Sequence, residues 1–399
     1  MLRSIARRLS SYPELKRFLK YSYQGVMFLF HYHRTNVRCR FPVLQQTDEA
    51  GGFFGYYDKS PESPDGKHLA WHRIVRSEGK RFESEICVKN FGTGQIVVAD
   101  KTEAVNLQMG ARLQWVDNER LVYNFYNPET DSYRAKLKNI LTGNEHTLDA
   151  PVFDVSGNRF LSLDFKQLAA CGSEYGYFAH RNFSGTDPVI WEGDMLTGDH
   201  RTILTLSDIL KVVSGIPEDA ADIHFNHLMY APSGKAFIFF FRFTTGSGRR
   251  EYLLLHNIAL SETIVLNSEM TSHCCWMNDY TIAGYLSHQG KAGFFRIDTV
   301  TLQYQPMFVD SQHGDGHPSW KNGIMLFDSY PDHARMQHLY ISGNNQVLLA
   351  GSFYSPMIFD EFYRCDLHPR FSPDGKKIYF DSLHQGRRHL YSLELNSHE

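Results

Sequence analysis

Four histidines, His227, His273, His317 and His368, stand 46, 44 and 51 residues apart, and each heads a segment of one shape. The segments read HLMYAPSGKAFIFFFR, HCCWMNDYTIAGY, HPSWKNGIMLFDS and HPRFSPDGKKIYFDS. In each an aromatic residue follows three positions on (Tyr230, Trp276, Trp320, Phe371), and a turn begins two residues later. Imidazoles spaced this far apart meet if the elements carrying them repeat around an axis. Once together they resist taking up protons at the same time. A divalent metal of the Zn, Fe, Ni, Cu or Mn group satisfies their lone pairs instead. Three ligands with an open position leave room for a substrate oxygen. The alternative reading is a structural or pH-sensitive histidine cluster.

The elements that must position them are hairpins. In LHPRFSPDGKKIYFDS an alternating strand runs into Ser-Pro-Asp-Gly and a second strand follows, which is a tight-turn signature. HLYSLEL then alternates as a third strand. Three earlier segments share the shape without histidine, starting at Lys59, Arg112 and Ala150. Seven rows at these periods predict an all-β fold, a seven-bladed β-propeller of four-stranded blades. The 77 residues from Ala150 to His227 predict an enlarged blade. Its insertion includes a helix over TLSDILKVV with Ser207 as N-cap. In such a blade the strand before the first hairpin lies innermost and its start faces the channel mouth. Lys59, Arg112, Ala150, His227, His273, His317 and His368 therefore form one ring.

A second layer comes from the loop after each second strand, with Arg73, Arg242, Asp328, Tyr330, Asp381 and His384, and from Arg364 and Asp366 just before His368. Several cations facing one pocket imply an anionic ligand, with Arg73, Arg112, Arg364, Tyr57 and His224 as its contacts. His224 lies three residues before His227 in HFNH. His313, in the glycine-rich HGDGH run beside Asp315, is a weaker ligand candidate.

The net charge of −3 argues against a nucleic-acid binder, which is normally basic. The six cysteines show no paired spacing and read as reduced, which predicts a cytoplasmic protein. Residues 1–45 read as a basic amphipathic arm and 46–399 as the propeller. Leu2, Ile5, Leu9, Leu15, Phe18 and Leu19 form a helical face among Arg3, Arg7, Arg8, Lys16, Arg17 and Lys20. GVMFLF is too short to span a bilayer, and no small-residue cleavage site follows it. The arm is expected to pack on the propeller; the sharper reading is a peripheral membrane contact with anionic lipid.

The segments FFGYYDKSP, HFNHLMYAPSGKAFIFFFR, MTSHCCW, GDGHPSW and RCDLHPRFSPDG resemble the TolB-like propeller repeats of the oligogalacturonate lyase family, over about residues 50–395. The resemblance implies a seven-bladed propeller that binds Mn²⁺ through three histidines and a glutamine, with an arginine taking the C5 proton of a uronic acid. By position His273, His317 and His368 match the metal histidines. The glutamine has no counterpart, since Ser319 and Arg370 stand two residues after His317 and His368, so the fourth ligand would be His227 or water. Arg242, or Lys59, would be the base, and Tyr57 or Tyr330 the acid. The expected function is a metal-dependent lyase cleaving a uronic-acid-containing oligo- or polysaccharide by β-elimination. The alternatives are a non-catalytic glycan- or protein-binding propeller and another enzyme of surface-polysaccharide metabolism.

Overall fold

The structure, a computed structural model, describes residues 13–182, 186–213, 215–308, 313–343, 346–359 and 361–395. Leu2, Arg3, Ile5, Arg7, Arg8 and Leu9 of the arm lie outside them. Seven antiparallel sheets follow one another along the chain as the blades of a propeller. Blades 2 to 5 are four-stranded in sequence order and open with Gln114–Trp115, Asp154–Ser156, Ala221–Tyr230 and Thr271–Asn278. Blade 1 keeps three full strands from His68–Glu78 onward; its inner edge is reduced to the bridges Phe53↔His72 and Glu62↔Leu69. Blades 6 and 7 open with Ser319–Lys321 and Arg370–Phe371.

Blades 6 and 7 take their outermost strands from the start of the chain. Arg38–Cys39 pairs with Gln346–Tyr354, and Val43–Gln45 pairs with His389–Glu394. These two strands lie in the stretch read as arm, yet they are hydrogen-bonded into the propeller. The Val43↔Leu393 pairing closes the circle.

The first hairpin of a blade folds by local chemistry. In blade 7 the Ser372 hydroxyl donates to Asp374 at 2.6 Å and accepts the Lys377 amide at 2.9 Å, while Gly375 takes φ +77. Blade 1 repeats this with Ser63, Asp65, His68 and Gly66 at φ +71. A second repeat, not singled out in the sequence, sits between the third and fourth strands. Asn90, Asn139, Asp194 and Asp298 each accept two backbone amides from the residues two and three further on. These side chains satisfy the turn amides that the sheet cannot reach.

Each blade is covered on both faces, so its central strands are apolar throughout. In Ala236–Thr245 of blade 4, Phe237, Phe239 and Phe241 enter the cluster shared with blade 3, and Ile238 and Phe240 enter the one shared with blade 5. The period of two sends alternate rings to opposite neighbours. Burying such a ring contributes about 1.5–3 kcal/mol, and Phe239→Ala would lose about 3–5 kcal/mol through the cavity it leaves.

Blade 3 carries the enlargement. A helix at Phe165–Ala170, capped by Asp164, follows its second strand, and a helix at Leu206–Val212 follows its fourth. The cap of the latter is Thr205, which corrects the Ser207 assignment. The Thr205 hydroxyl accepts the Asp208 amide while the Asp208 carboxylate accepts the Thr205 amide. That reciprocal box needs an acid three residues on, and Ser207 has Leu210 there. The arm helix, Pro13–His31, lies against blade 6 with Phe28 beside Tyr354 and His31 beside His333. No helix among the described residues is long and apolar enough to cross a membrane.

Candidate metal centre

Three of the seven register residues also share a backbone conformation. Arg112, His227 and His368 share a left-handed conformation, with φ 52, 55 and 46. Away from glycine this costs about 1 kcal/mol or more and persists only where the surroundings enforce it. The four histidine rings converge. Centroids lie 4.0 Å apart for His273 and His317, 4.3 Å for His317 and His368, and 6.1 Å for His227 and His273. Three imidazoles thus form a tight group, and His227 stands off from it. All four are buried.

Two of the rings are aimed. His317 Nδ1 lies 2.9 and 3.1 Å from the two carboxylate oxygens of Asp328, and His368 Nδ1 lies 3.0 Å from the Gly55 carbonyl. Asp328 also accepts the backbone amides of His317 and His368, at 2.7 and 2.9 Å, so one carboxylate ties both blades. Nδ1–H donated to an oxygen leaves the Nε2 lone pair free, the usual orientation of a metal-binding histidine. Nε2 of His317 and Nε2 of His368 are buried without a hydrogen-bond partner, as are both ring nitrogens of His227. One ligand atom each from His317, His368 and Asp366 lie within 4.8 Å of one another. Two imidazoles and a carboxylate are a donor set that suits a divalent first-row metal.

Burial, reinforced by neighbouring Arg242 or His317, holds His227, His273 and His368 well below the usual imidazole range. His317 moves the other way: burial opposes its charge, but the Asp328 carboxylate overrides it and raises the pKa. Burial likewise opposes ionisation of Asp366, yet Arg364 more than offsets it and lowers the carboxyl.

The loop FFGYYDKSP lies against the histidines. Asp381 accepts the amides of Phe54 and Gly55 at 3.0 and 3.1 Å, and Arg370 donates to the Gly55 carbonyl at 2.9 Å. Gly55 has φ +122, and a side chain there would meet the Met109 carbonyl at 2.8 Å. So held, Tyr57 donates to the Cys274 carbonyl at 2.9 Å and packs against His273, His317 and His368. Tyr56, which the sequence reading passed over, packs against His227, His317 and His368, and its buried hydroxyl has no partner. The doubled tyrosine in that quoted segment was the available signal.

The expected cationic mouth is corrected, because every cation assigned to it has a carboxylate partner. Arg112 is buried, gripping Asp58 through two nitrogens at 3.1 and 2.8 Å and donating to the Phe153 carbonyl at 2.7 Å. Lys59 is paired with Asp154, whose other oxygen accepts the Tyr230 amide, three residues down the strand from His227. Arg73 joins Glu85 and Asp48. These three are tied into the frame, and among the described residues no hydrogen bond or ion pair joins them to the histidine rings. Ala150 is a buried core residue. Arg242 lies at the site, ion-paired with Glu251 at 3.1 Å and stacked on Phe240. An arginine acting as base must shed its proton, which neighbouring cations favour and an ion pair opposes. His224 sits opposite Arg242 in the strand register, its Nδ1 donating to the Asp222 carbonyl; burial pushes its pKa down to about 4. His313 is elsewhere, among Phe308, Phe327 and Tyr340.

Arg364 and Tyr330 guard the entrance. Arg364 donates to Asp366 at 2.7 Å and to both oxygens of Glu174, from the blade 3 insertion, at 2.8 Å. Tyr330, 36% exposed, has its ring 5.8 Å from His317 and lies under the Arg364 guanidinium. Tyr330, Arg364 and Asp366 line a cavity of about 340 Å³ whose other wall includes Lys20 and Gln24 of the arm helix. The candidate ligand Asp366 thus faces an open space.

No family model and no curated protein matches the chain. Solved structures do. An oligogalacturonate lyase from Vibrio parahaemolyticus superposes with a TM-score of 0.61 at 13% identity, covering 91% of this chain and 99% of its own. An oligogalacturonate lyase in complex with manganese gives 0.61 at 14%, covering 91% and 96%. The β-propeller domain of the Trilobed protease from Pyrococcus furiosus gives 0.52 at 10%, covering 88% and 95%. At these identities the likeness shows the fold: this chain is a seven-bladed propeller sharing the architecture of oligogalacturonate lyase.

Proposed function

We propose that the protein is a divalent-metal-dependent lyase, using Mn²⁺, that cleaves a uronic-acid-containing oligo- or polysaccharide by β-elimination. The observation that carries this is the pair of buried, partnerless Nε2 atoms on His317 and His368, with their Nδ1 atoms tied down and the Asp366 carboxylate beside them. His317, His368 and Asp366 would hold the ion, with His273 packed on His317 as the next donor. When bound, the metal supplies a Lewis acid that neutralises the uronate carboxylate and makes the C5 proton more acidic.

The chain's own residues supply the proton traffic. The C5–H pair becomes the C4–C5 double bond as the C4–O bond breaks; one proton must be taken and one given to the departing oxygen. His227 is the proposed acceptor, being neutral, with both nitrogens without partners. This replaces Arg242, which is ion-paired and serves as a fixed charge for the sugar. The Tyr56 hydroxyl is the proposed donor. Burial first, then neighbouring tyrosines, raises its pKa well above the phenol range, so it keeps its proton. Tyr57 is less suited because its proton is donated to Cys274. The likeness to the manganese complex of oligogalacturonate lyase supports the reading, as do six free cysteines for a reducing, cytoplasmic setting.

The test is metal content and product. Protein reconstituted with Mn²⁺, Zn²⁺ or Fe²⁺ should retain one ion per chain after gel filtration, and uronate oligosaccharides should yield an ultraviolet-absorbing unsaturated product. Retention of no ion ends the metal reading. A non-catalytic binding propeller then takes its place, a role that the near-complete burial of the rings favours.

A further inference from the structure

The arm helix Pro13–His31 turns one face to the propeller and another away from it. One, with Gln24, Phe28 and His31, is half-buried against the propeller. The other consists of Leu15, Phe18, Leu19, Val26, Leu29 and Phe30, at offsets of three, four, eleven, fourteen and fifteen from Leu15. At 100° per residue these offsets fall within a stripe about 120° wide. Every member is 44–71% exposed, so the stripe points away from the protein. A soluble helix normally turns its apolar stripe inward; a contiguous apolar patch left outside marks an interaction surface.

Charge decides between the occupants. The first 40 residues carry nine Lys or Arg against the single acid Glu14, whereas the whole chain is −3. Arg34 and Arg38, just after the helix in the sequence, are exposed. Two copies joined through this stripe would bring these cations together, which is repulsive. An anionic lipid surface attracts them and accepts the apolar side chains. We propose that this helix docks the propeller in the plane of an anionic membrane, apolar stripe down. The helix lies on the membrane and does not cross it. Its opposite face walls the cavity of Tyr330, Arg364 and Asp366, so docking holds that entrance about one helix diameter, ~10 Å, from the lipid.

The experiment is vesicle flotation of the full chain with phosphatidylcholine alone and with phosphatidylcholine mixed with phosphatidylglycerol, at low and high salt. The expected result is flotation with the mixed vesicles, weakened by salt. The triple variant Phe18→Ser, Leu29→Ser, Phe30→Ser should partition about tenfold less or worse with an unchanged melting temperature, since those side chains are outside the core. A Phe30→Trp variant should show a blue-shifted emission on adding mixed vesicles. Absence of flotation with either vesicle overturns the proposal. So does a concentration-dependent dimer that the triple variant dissociates. Neither result depends on metal content or lyase activity.

Discussion

On blades 5 to 7 the register residues are His273, His317 and His368. Their rings touch, two of their Nδ1 atoms are fixed by oxygen acceptors, and two Nε2 atoms are buried without partners. On blades 1 to 3 the same register holds Lys59, Arg112 and Ala150. There the polar groups are used up by the protein itself, in the Lys59–Asp154 and Arg112–Asp58 ion pairs. The same register thus leaves buried atoms unpaired on one side of the ring and spends them on cohesion on the other. What separates them is whether a buried polar atom is left unpaired, since such an atom is costly unless something binds it.

The comparison breaks most sharply at Arg112. Arg112→Ala leaves the buried Asp58 carboxylate alone, and the expected loss is about 3–5 kcal/mol of stability, read as a lower urea midpoint. On the other side His317→Ala or His368→Ala should abolish retention of the ion while the apo fold persists with a midpoint close to wild type. If Arg112→Ala unfolds nothing, or His317→Ala unfolds everything, the division of labour is wrong. A subtler probe is Asp328→Asn, which keeps the shape but weakens the hold on the His317 ring; second-layer changes of this kind typically cost about 10–100-fold in metal affinity, measured by competition with a chelator.

Acid should also distinguish the halves. His227, His273 and His368 have folded pKa values below their unfolded value of about 6.5. Below that value the unfolded chain binds more protons, so their contribution is intact above about pH 6.5 and falls as the pH drops. His72, outside the cluster, behaves alike, with burial lowering it to about 4. His317, raised by Asp328, opposes the trend. The expected result for the metal-free protein is a lower denaturation midpoint at pH 5 than at pH 7, by at most about 1.4 kcal/mol per pH unit for each histidine that must stay neutral. The Asp328→Asn variant should steepen it, because His317 then loses its stabilised proton. The smallest effect is expected at the entrance. Glu174→Gln alters a partly exposed pair of Arg364 and should change stability by about 1 kcal/mol or less, while tightening uronate binding because Arg364 is freed for the sugar.

The repeat made the fold and the histidine ring legible. Ser-Pro-Asp-Gly turns and the aromatic three residues after each histidine are local features, and local chemistry shows in a sequence. The ion pairs were not legible, because Asp58, Asp154 and Glu251 meet their cations across blades or strands. A row of cations therefore looked free, although Arg112 and Lys59 have partners in other blades and Arg242 has one on the neighbouring strand. Tyr56 and the cap at Thr205 were within reach. Tyr56 follows Gly55 beside the Tyr57 that was chosen, and Thr205 has its acid three residues on at Asp208. Asp366 stood in the second layer because nothing in the sequence tells how far a side chain two residues before His368 reaches.

Blade 7 makes the site depend on two segments that lie far apart in the sequence. His368 comes from its first strand, the Asp381 clamp that holds Phe54 and Gly55 from its second, and the blade is completed only when Val43–Gln45 pairs with His389–Glu394. A ribosome therefore makes residues 43 to 394 before these two strands can meet. Until then Tyr56 and Tyr57 have no anchored loop, and His368 has no Gly55 carbonyl to set its ring. Copies that stop short of His389–Glu394 would leave the histidine cluster unassembled, so the site forms in one late event, with strands from both sides of the propeller's seam as joint custodians.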